Sequence, residues 1–434
     1  MSFRHLDAVV AEVTPLAERF AQAGHRLYLV GGIVRDLWLD RALDASSDID
    51  LTTDASPATT KSLVAELAEA VWTQGERFGT IGILLAGREI EITTHRAESY
   101  TPESRKPVVS FGDDITVDLS RRDFTVNAMA IEVPGAVLVD PCSGIEDLRA
   151  GWLRTPLAPE VSFTDDPLRM MRAARFAAKY GLEPGVELLD AASRLRDRLR
   201  IVAIERIGDE LHRLFGLDHP GPGVDLLVQT GLADVLLGWG ADQPATIDRG
   251  RLEDAVGAVA PGPFGGTPIT WHARFAAFAL VALGEADAVD DLCRRLRLSR
   301  HDSRRISGLC HAAAAIGDVH EPPPPTLRRW WATANDPLQA LAVARARAVA
   351  ASGDLEGVER FAAAHAALAA TEDPADLVVL DGETIMEALG LEAGRVVGDA
   401  VEVLREALFD EGPLDREAQL TRLRRWWSHR TTER

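Results

Sequence analysis

The sequence predicts an α+β domain followed by a long all-α region. Two observations carry this. Strand-like apolar runs with turn residues between them are confined to the chain before Thr155-Pro156. Beyond Ser162 the apolar spacing is almost entirely helical. The regular strand–helix alternation of a doubly wound sheet is missing.

The elements follow in order. Phe3, Leu6, Val9, Val10, Val13, Leu16 and Phe20 recur near helical spacing, which predicts a helix over 3–24. Arg26 to Val30 is a short apolar strand running into Gly31-Gly32, and Ile33 to Leu39 is helical. Asp48 to Thr53 is strand-like, and Pro57 to Val71 is helical. Ile81–Ala86 and Glu89–Thr94 predict a hairpin split at Gly87-Arg88. His95 to Gly112 is polar, contains Pro102 and Pro107, and predicts a mobile loop. Ala128–Val133 and Ala136–Asp140 are a further strand pair. In the helical part, Gly216 to Gly223 and the proline run after Glu321 mark breaks, the latter reading as an extended linker. The expected domains are 1–155, 156–218, 219–325 and 326–434.

At roughly 150 residues per domain, 434 residues correspond to about three packed units. A composition of 46% hydrophobic and 26% charged residues excludes a mostly disordered chain and a disulfide-stapled mini-protein. Cys142, Cys293 and Cys310 are odd in number and form no Cys-x-x-Cys pair. They imply neither a disulfide framework nor a zinc cluster, and so a reducing compartment. The N-terminus lacks a signal-peptide apolar stretch, and no uninterrupted apolar run reaches the ~18 residues of a membrane span. A cytoplasmic protein without membrane association is expected. The net charge of −20 runs against a polyanion partner, but the clustering of positive charge matters more than the sum. Lysine occurs only at 61, 106 and 179, so the positive charge is nearly all arginine. Arginine suits bidentate phosphate contacts, although Arg-rich, Ala-rich usage also follows from a GC-rich genome.

Several clusters could carry chemistry. Asp48 and Asp50 share a strand face, so two hard oxygen ligands converge, as Mg²⁺ requires; the alternative is a solvated strand end. Gly31 and Gly32 precede a helix start, where backbone amides can approach a phosphate and Arg35 can add charge; the alternative is a tight turn. Glu91 is the candidate third carboxylate of a metal-assisted phosphoryl-transfer site, with Glu89 on the same face. Arg121, Arg122, Asp123, Thr125 and Asn127 form a polar cluster before a strand, able to hold a ribose and triphosphate or merely to cap a turn. Asp166, Arg169, Arg172 and Arg175 step by three along a helix. An acid and arginines side by side offer the acceptors and donors that read a base edge, or simply a helix cap and a solvated face.

In this order the motifs resemble the class II tRNA nucleotidyltransferase and bacterial poly(A) polymerase family. The matching segments are Gly31–Asp36, Asp48–Asp50, Arg121–Ala128, Asp140–Leu148 and Asp165–Phe176, with a weaker pattern at Leu380–Gly382 and Leu391–Gly398. The resemblance implies a polymerase β-like nucleotidyltransferase head with a mixed or antiparallel sheet, followed by all-α neck, body and tail. It implies addition of C, C and A to tRNA 3′ ends from CTP and ATP, with Mg²⁺ as cofactor and no protein partner. By this match Asp48 and Asp50 hold the metal. Gly31, Gly32 and Arg35 meet the triphosphate. Arg121, Arg122, Asp123 and Asn127 lie at phosphate and ribose. Asp166 and Arg169 hydrogen-bond the base, and Arg172 and Arg175 line the nucleotide site.

Two departures stand out. Many bacterial relatives carry a metal-dependent HD domain after the neck; here the only His-Asp dipeptide is His301-Asp302, without evident partner histidines. The neck pair is Asp165-Asp166 where many relatives have Glu-Asp. Relatives that add only C lack or shorten the segment matching 95–112, which here keeps Arg96, Tyr100, Arg105 and Lys106. Addition of A alone, poly(A) synthesis, a small-molecule nucleotidyltransferase and a catalytically inactive RNA-binding protein stay open. Arg328, Arg329, Arg395, Arg422, Arg424 and Arg425 are the candidate tRNA contacts.

Overall fold

The computed structural model describes residues 4–41, 49–101, 104–238, 252, 268–316, 322–351, 355–373, 377 and 379–432, with 97–101 and 104–110 as backbone. The chain forms two compact units, residues 1–236 and 237–434.

The first unit opens with α1 (Leu6–Gln22), β1 (Leu27–Val30) and α2 (Gly32–Trp38). Then come β2 (Ile49–Thr53), α3 (Pro57–Val64), β3 (Ala70–Trp72), β4 (Thr80–Leu85) and β5 (Arg88–Thr94). The hairpin β6 (Arg96–Thr101) and β7 (Ser104–Phe111) precedes α4 (Ile115–Ser120), β8 (Ala130–Val133) and β9 (Val137–Val139). Seven strands make one sheet in the order β3-β4-β5-β2-β1-β8-β9. Only the β2–β5 pair is parallel, so the sheet is mixed.

Strand alternation separates the two faces. Leu27, Leu29, Ile49, Leu51, Ile90, Ile92 and Ile131 pack under α1, α2 and α3 through Val13, Leu16, Phe20, Val34 and Val64. The opposite face carries a small core of Tyr28, Val30, Leu119, Ala128 and Ala130. On that same face Asp50, Glu89 and Glu91 line an open cleft.

Two expectations are corrected in this domain. The helix expected over 57–71 ends at Val64, and residues 70–72 are the edge strand β3, paired with β4 from Ala70↔Leu84 to Trp72↔Gly82. The expected loop at 95–112 is largely the β6–β7 hairpin, in register from Arg96↔Phe111 to Thr101↔Ser104. Its register shifts between Ser99 and Thr101, opposite the stretch that holds Pro107. A proline lacks the ladder donor and is tolerated where pairing is irregular.

Helices α5 (Gly144–Ala150), α6 (Pro159–Asp165), α7 (Leu168–Tyr180), α8 (Val186–Leu195), α9 (Ile204–Phe215) and α10 (Gly221–Gln229) complete the unit. The unit runs to residue 236 and includes both sides of the expected 218/219 boundary. Within it α10 packs closely on α7: a Cβ at Gly223 would lie 2.4 Å from the Ala174 carbonyl oxygen.

The second unit is helical. The helices Trp271–Leu283, Ala286–Arg295, Arg300–Ala314 and Pro337–Ala350 bury Phe275, Phe278, Leu292, Ile306 and Leu341. Ile385, Ala400, Leu404 and Leu423 form a separate core. The end of the proline run is helical and not an extended linker: Pro324 and Pro325 start the Pro324–Thr333 helix. Proline fits the first helical turn, where its missing N–H has no partner to lose. Trp330 in that helix donates Nε1–H to the Ala312 carbonyl at 2.8 Å. Among the described residues no helix is long and apolar enough to cross a membrane.

Candidate active site

The carboxylates come first. Parallel pairing places Asp50 of β2 beside Glu91 of β5. With Glu89, Trp72, Gln74 and Ile49 they line a cleft of about 420 Å³. Asp48 lies outside the described residues. The donor set is all oxygen and anionic, which fits a magnesium ion; Asp50 and Glu91 would hold it.

The turn after β1 needs its first glycine. Gly31 has φ +79°, and a Cβ there would lie 3.0 Å from Arg122 Nη1. The bare glycine lets the guanidinium approach the turn. Gly32 begins α2, and its Cβ position is 3.4 Å from Arg35 Nη2. Arg35 is 5% exposed. It donates to Asp36 at 3.1 and 3.0 Å and to Asn127 Oδ1, and it stacks over Tyr180 with 4.2 Å from Cζ to the ring centre. It therefore ties α2 to the 125–127 turn and to α7.

Arg121 and Arg122 converge on Asp118, a residue not singled out in the sequence. Arg121 Nη2 donates to Oδ1 at 2.6 Å and Arg122 Nη2 to Oδ2 at 3.2 Å. The Arg96 amide also donates to Oδ1, at 3.1 Å. Burial alone would raise the Asp118 carboxyl pKa, but the charges of Arg122 and Arg121 and these hydrogen bonds outweigh it, leaving about 2. The i−3 and i−4 spacing from the two arginines was the available signal.

Asp123 is buried and accepts from the Phe124 amide at 2.8 Å and from Asn127 Nδ2 at 3.0 Å. Its other oxygen lies 2.5 Å from Arg172 Nη2 on α7. Burial opposes its ionisation, yet Arg172, Asn127 and Arg169 hold its pKa below the usual carboxylate value. Arg169 donates to Ser162 Oγ at 2.8 Å and to the Arg121 carbonyl at 2.6 Å. Asp166 ends α6, accepts from the Leu168 amide at 3.1 Å and pairs with Arg206 at 3.3 Å. One network thus joins Arg35, Asn127, Asp123 and Arg172, and another joins Asp118, Arg121, Arg122 and Arg169. Arg175 stands apart: it pairs with the buried Glu210 of α9 at 2.6 Å.

A buried histidine was also missed. His95 Nδ1 is 2.9 Å from Thr52 Oγ1, two residues after Asp50, and burial pushes its pKa below 6.5. In the second unit, His272 Nε2 lies 2.8 Å from Asp302 Oδ1, so the His301-Asp302 dipeptide does meet a further histidine. Ser299 and Asp302 bond reciprocally as a helix cap, which accounts for the aspartate.

Of the candidate RNA contacts, Arg328 is buried, donating to Glu372 at 2.8 and 2.7 Å and to the Phe409 carbonyl at 2.9 Å. Arg329 pairs with Glu406 and Asp410, and Arg422 with Glu411. Arg395, Arg424 and Arg425 are exposed.

Carboxylates on a mixed sheet, a glycine turn leading into a helix and an arginine network thus occur together in the first unit. Residues 27–154 match the poly A polymerase head domain, and residues 182–238 match the probable RNA- and SrmB-binding site of polymerase A. In these two segments the chain is similar to the poly(A) polymerase family. It is 37% identical over 232 residues to the CCA-adding enzyme of Lactobacillus helveticus, covering 53% of this chain. To the CCA-adding enzyme of Bacillus pumilus it is 33% identical over 242 residues, covering 56% of this chain. The match spans 56% of each relative's length. The fold is also that of the Bacillus stearothermophilus CCA-adding enzyme in complex with CTP, with a TM-score of 0.70, 23% identity and coverage of 98% and 99% of the two chains. The Thermotoga maritima CCA-adding enzyme complexed with tRNA follows at 0.66 and 20%, with coverage of 96% and 95%.

Proposed function

We propose that this protein adds C, C and A to tRNA 3′ ends from CTP and ATP without a nucleic-acid template, in the cytoplasm. The observation that carries this is the Asp50–Glu91 pair on the same domain as an arginine network continuing into α7. The 3′-hydroxyl of the tRNA attacks the α-phosphate, and pyrophosphate leaves. Asp48, Asp50 and Glu91 would hold magnesium, which neutralises triphosphate charge and favours the alkoxide when bound. The rest of the work is positioning and charge stabilisation.

In this reading Asp118 presents Arg121 and Arg122 to the phosphates from a fixed base. Asp123, held by Arg172 and Asn127, faces the ribose. Asp166 and Arg169 supply acceptors and donors to the incoming base. Cytosine and adenine both present an exocyclic amino donor where uracil and guanine present a carbonyl. An acceptor such as Asp166 therefore favours the first two. Arg175, spent on Glu210, acts by holding α7.

The test is extension of tRNAs ending at the discriminator base, at C and at CC, with CTP, ATP or both and magnesium, resolved at single-nucleotide length. Growth by CCA followed by a stop is expected. A-addition to the CC end alone, or untemplated runs of A, would transfer the protein to another branch of the same chemistry. No extension by folded protein would overturn the tRNA assignment.

A further inference from the structure

One lateral row of residues crosses four strands beside the carboxylates. Trp72 of β3 stands opposite Gly82 of β4, Gly82 opposite Glu91 of β5, and Glu91 opposite Asp50 of β2. Residues opposite one another share a face and touch. The missing side chain at Gly82 leaves a gap in the row, and the indole of Trp72 fills it. A Cβ built on Gly82 would lie 1.9 Å from Trp72 Nε1 and 2.2 Å from Cε2. Trp72 is half-buried, so part of the ring stays open to the cleft that it lines with Asp50, Glu89, Glu91 and Gln74.

Among the described residues, the lining of this cleft contains no arginine or lysine and three carboxylates. The carboxylates can meet a triphosphate only through the magnesium they would hold, and no cation of the lining draws phosphate onto the indole. The cations gather elsewhere on the domain, around Gly31, Asp118 and Asp123. A flat uncharged ring suits the indole, and the carboxylates beside it mark where a hydroxyl must arrive.

We infer that Trp72 is the stacking platform for the 3′-terminal nucleoside of the RNA acceptor, with Gln74 beside it. This rests on the nucleotide-addition reading above. Stacking is the form of recognition the task demands. The acceptor end changes from the discriminator base to C and to CC over three additions, and every base has a π-face, whereas edge hydrogen bonds would discriminate among them.

Two measurements test it. A tRNA carrying 2-aminopurine as its last nucleotide should lose fluorescence on binding wild-type protein and keep it with Trp72→Ala. This needs no turnover. In steady-state extension of the C and CC ends, Trp72→Ala should raise KM for the acceptor about tenfold or more while KM for ATP or CTP holds. Trp72→Phe should recover most of the loss, and Gly82→Ala, which forces the indole aside, should mimic it with the tryptophan still present. If Trp72→Ala does not fold, Trp72→Leu keeps apolar cover over Gly82 without a π-system and should show the same defect. Unchanged quenching and acceptor KM in a folded variant would overturn the platform while wild-type extension leaves the reaction itself standing. No extension by the wild-type protein would instead remove the reading beneath it.

Discussion

Asp118, with no solvent exposure, accepts from Arg121 at 2.6 Å and from Arg122 at 3.2 Å, so one buried carboxylate anchors both arginines of the Arg-Arg-Asp segment. Removing its charge leaves two cations facing a desolvated amide. Breaking a buried pair from one side costs about 3–5 kcal/mol. Asp118→Asn should lose about that much stability in urea melts, and the folded fraction should bind nucleotide more weakly. A loss below about 1 kcal/mol would show the arginines are satisfied without it.

Acid should act through the same groups. Asp118 titrates at about 2 in the folded protein and Asp123 below the usual value, against about 3.9 when unfolded. A depressed folded pKa stabilises the fold above the unfolded value, and that stabilisation is lost as pH falls through the folded one. His95, also depressed, adds to the loss below about pH 6.5 because the unfolded chain takes up its proton first. Stability should be level near neutrality, decline gently below about pH 6 and fall steeply between about pH 4 and 2. In Asp118→Asn the steep step should shrink.

The Asp50–Glu91 pair makes the sharpest claim on chemistry. Asp50→Asn and Glu91→Gln should each cut nucleotide incorporation by about a thousandfold, the several kcal/mol that metal stabilisation supplies. Both residues lie at a cleft edge, so melting temperature should change little. Single-turnover extension alongside calorimetry separates the two effects. Full activity in Glu91→Gln would move the third-ligand role to Glu89, which lines the same cleft.

Arg175 separates a nucleotide-lining role from a structural one. Its partner Glu210 is 3% exposed, so Arg175→Ala strands a buried carboxylate and should cost about 3–5 kcal/mol. KM for CTP and ATP, measured well below the melting transition, should not change. The double variant Arg175→Met with Glu210→Leu should recover much of the stability, because a packed apolar pair replaces a desolvated one.

These contrasts show how far the amino-acid order could be read. Most of the head strands, with Asp50 and Glu91 on them, were legible because strand alternation is a local, period-two signal. The adjacency of Asp50 and Glu91 was not, since β2 and β5 are separated by more than thirty residues and pair in parallel. The same limit hid Trp72, which directly follows the helix expected over 57–71, whose end is Val64. The motif arginines were found by type and spacing, but type does not say which are spent on buried carboxylates. Arg121 and Arg122 rest on buried Asp118, Arg172 on Asp123 and Arg175 on Glu210, none of which the arginines' spacing names.

That distinction matters most for the proposed RNA contacts of the helical unit, where charge count alone misleads. Arg328 and Arg329 adjoin one another in the chain, yet the first is enclosed by Glu372 and the Phe409 carbonyl and the second faces Glu406 and Asp410. An arginine already neutralised by carboxylates displaces few counterions from a nucleic acid. Arg424 and Arg425 are exposed on the Arg416–Thr432 helix. If they reach phosphates, each contact contributes about one unit to the slope of log affinity against log salt. Arg424→Ala and Arg425→Ala should each flatten that slope for tRNA by about one while leaving melting temperature within a degree or two. Arg328→Ala should do the reverse, lowering stability by about 3 kcal/mol through the stranded Glu372 and leaving the slope unchanged. Filter-binding titrations from low to moderate salt, paired with thermal melts, read both quantities on the same preparations. A slope that responds to Arg328 and ignores the Arg424–Arg425 pair would place the phosphate contacts on the other face of this unit.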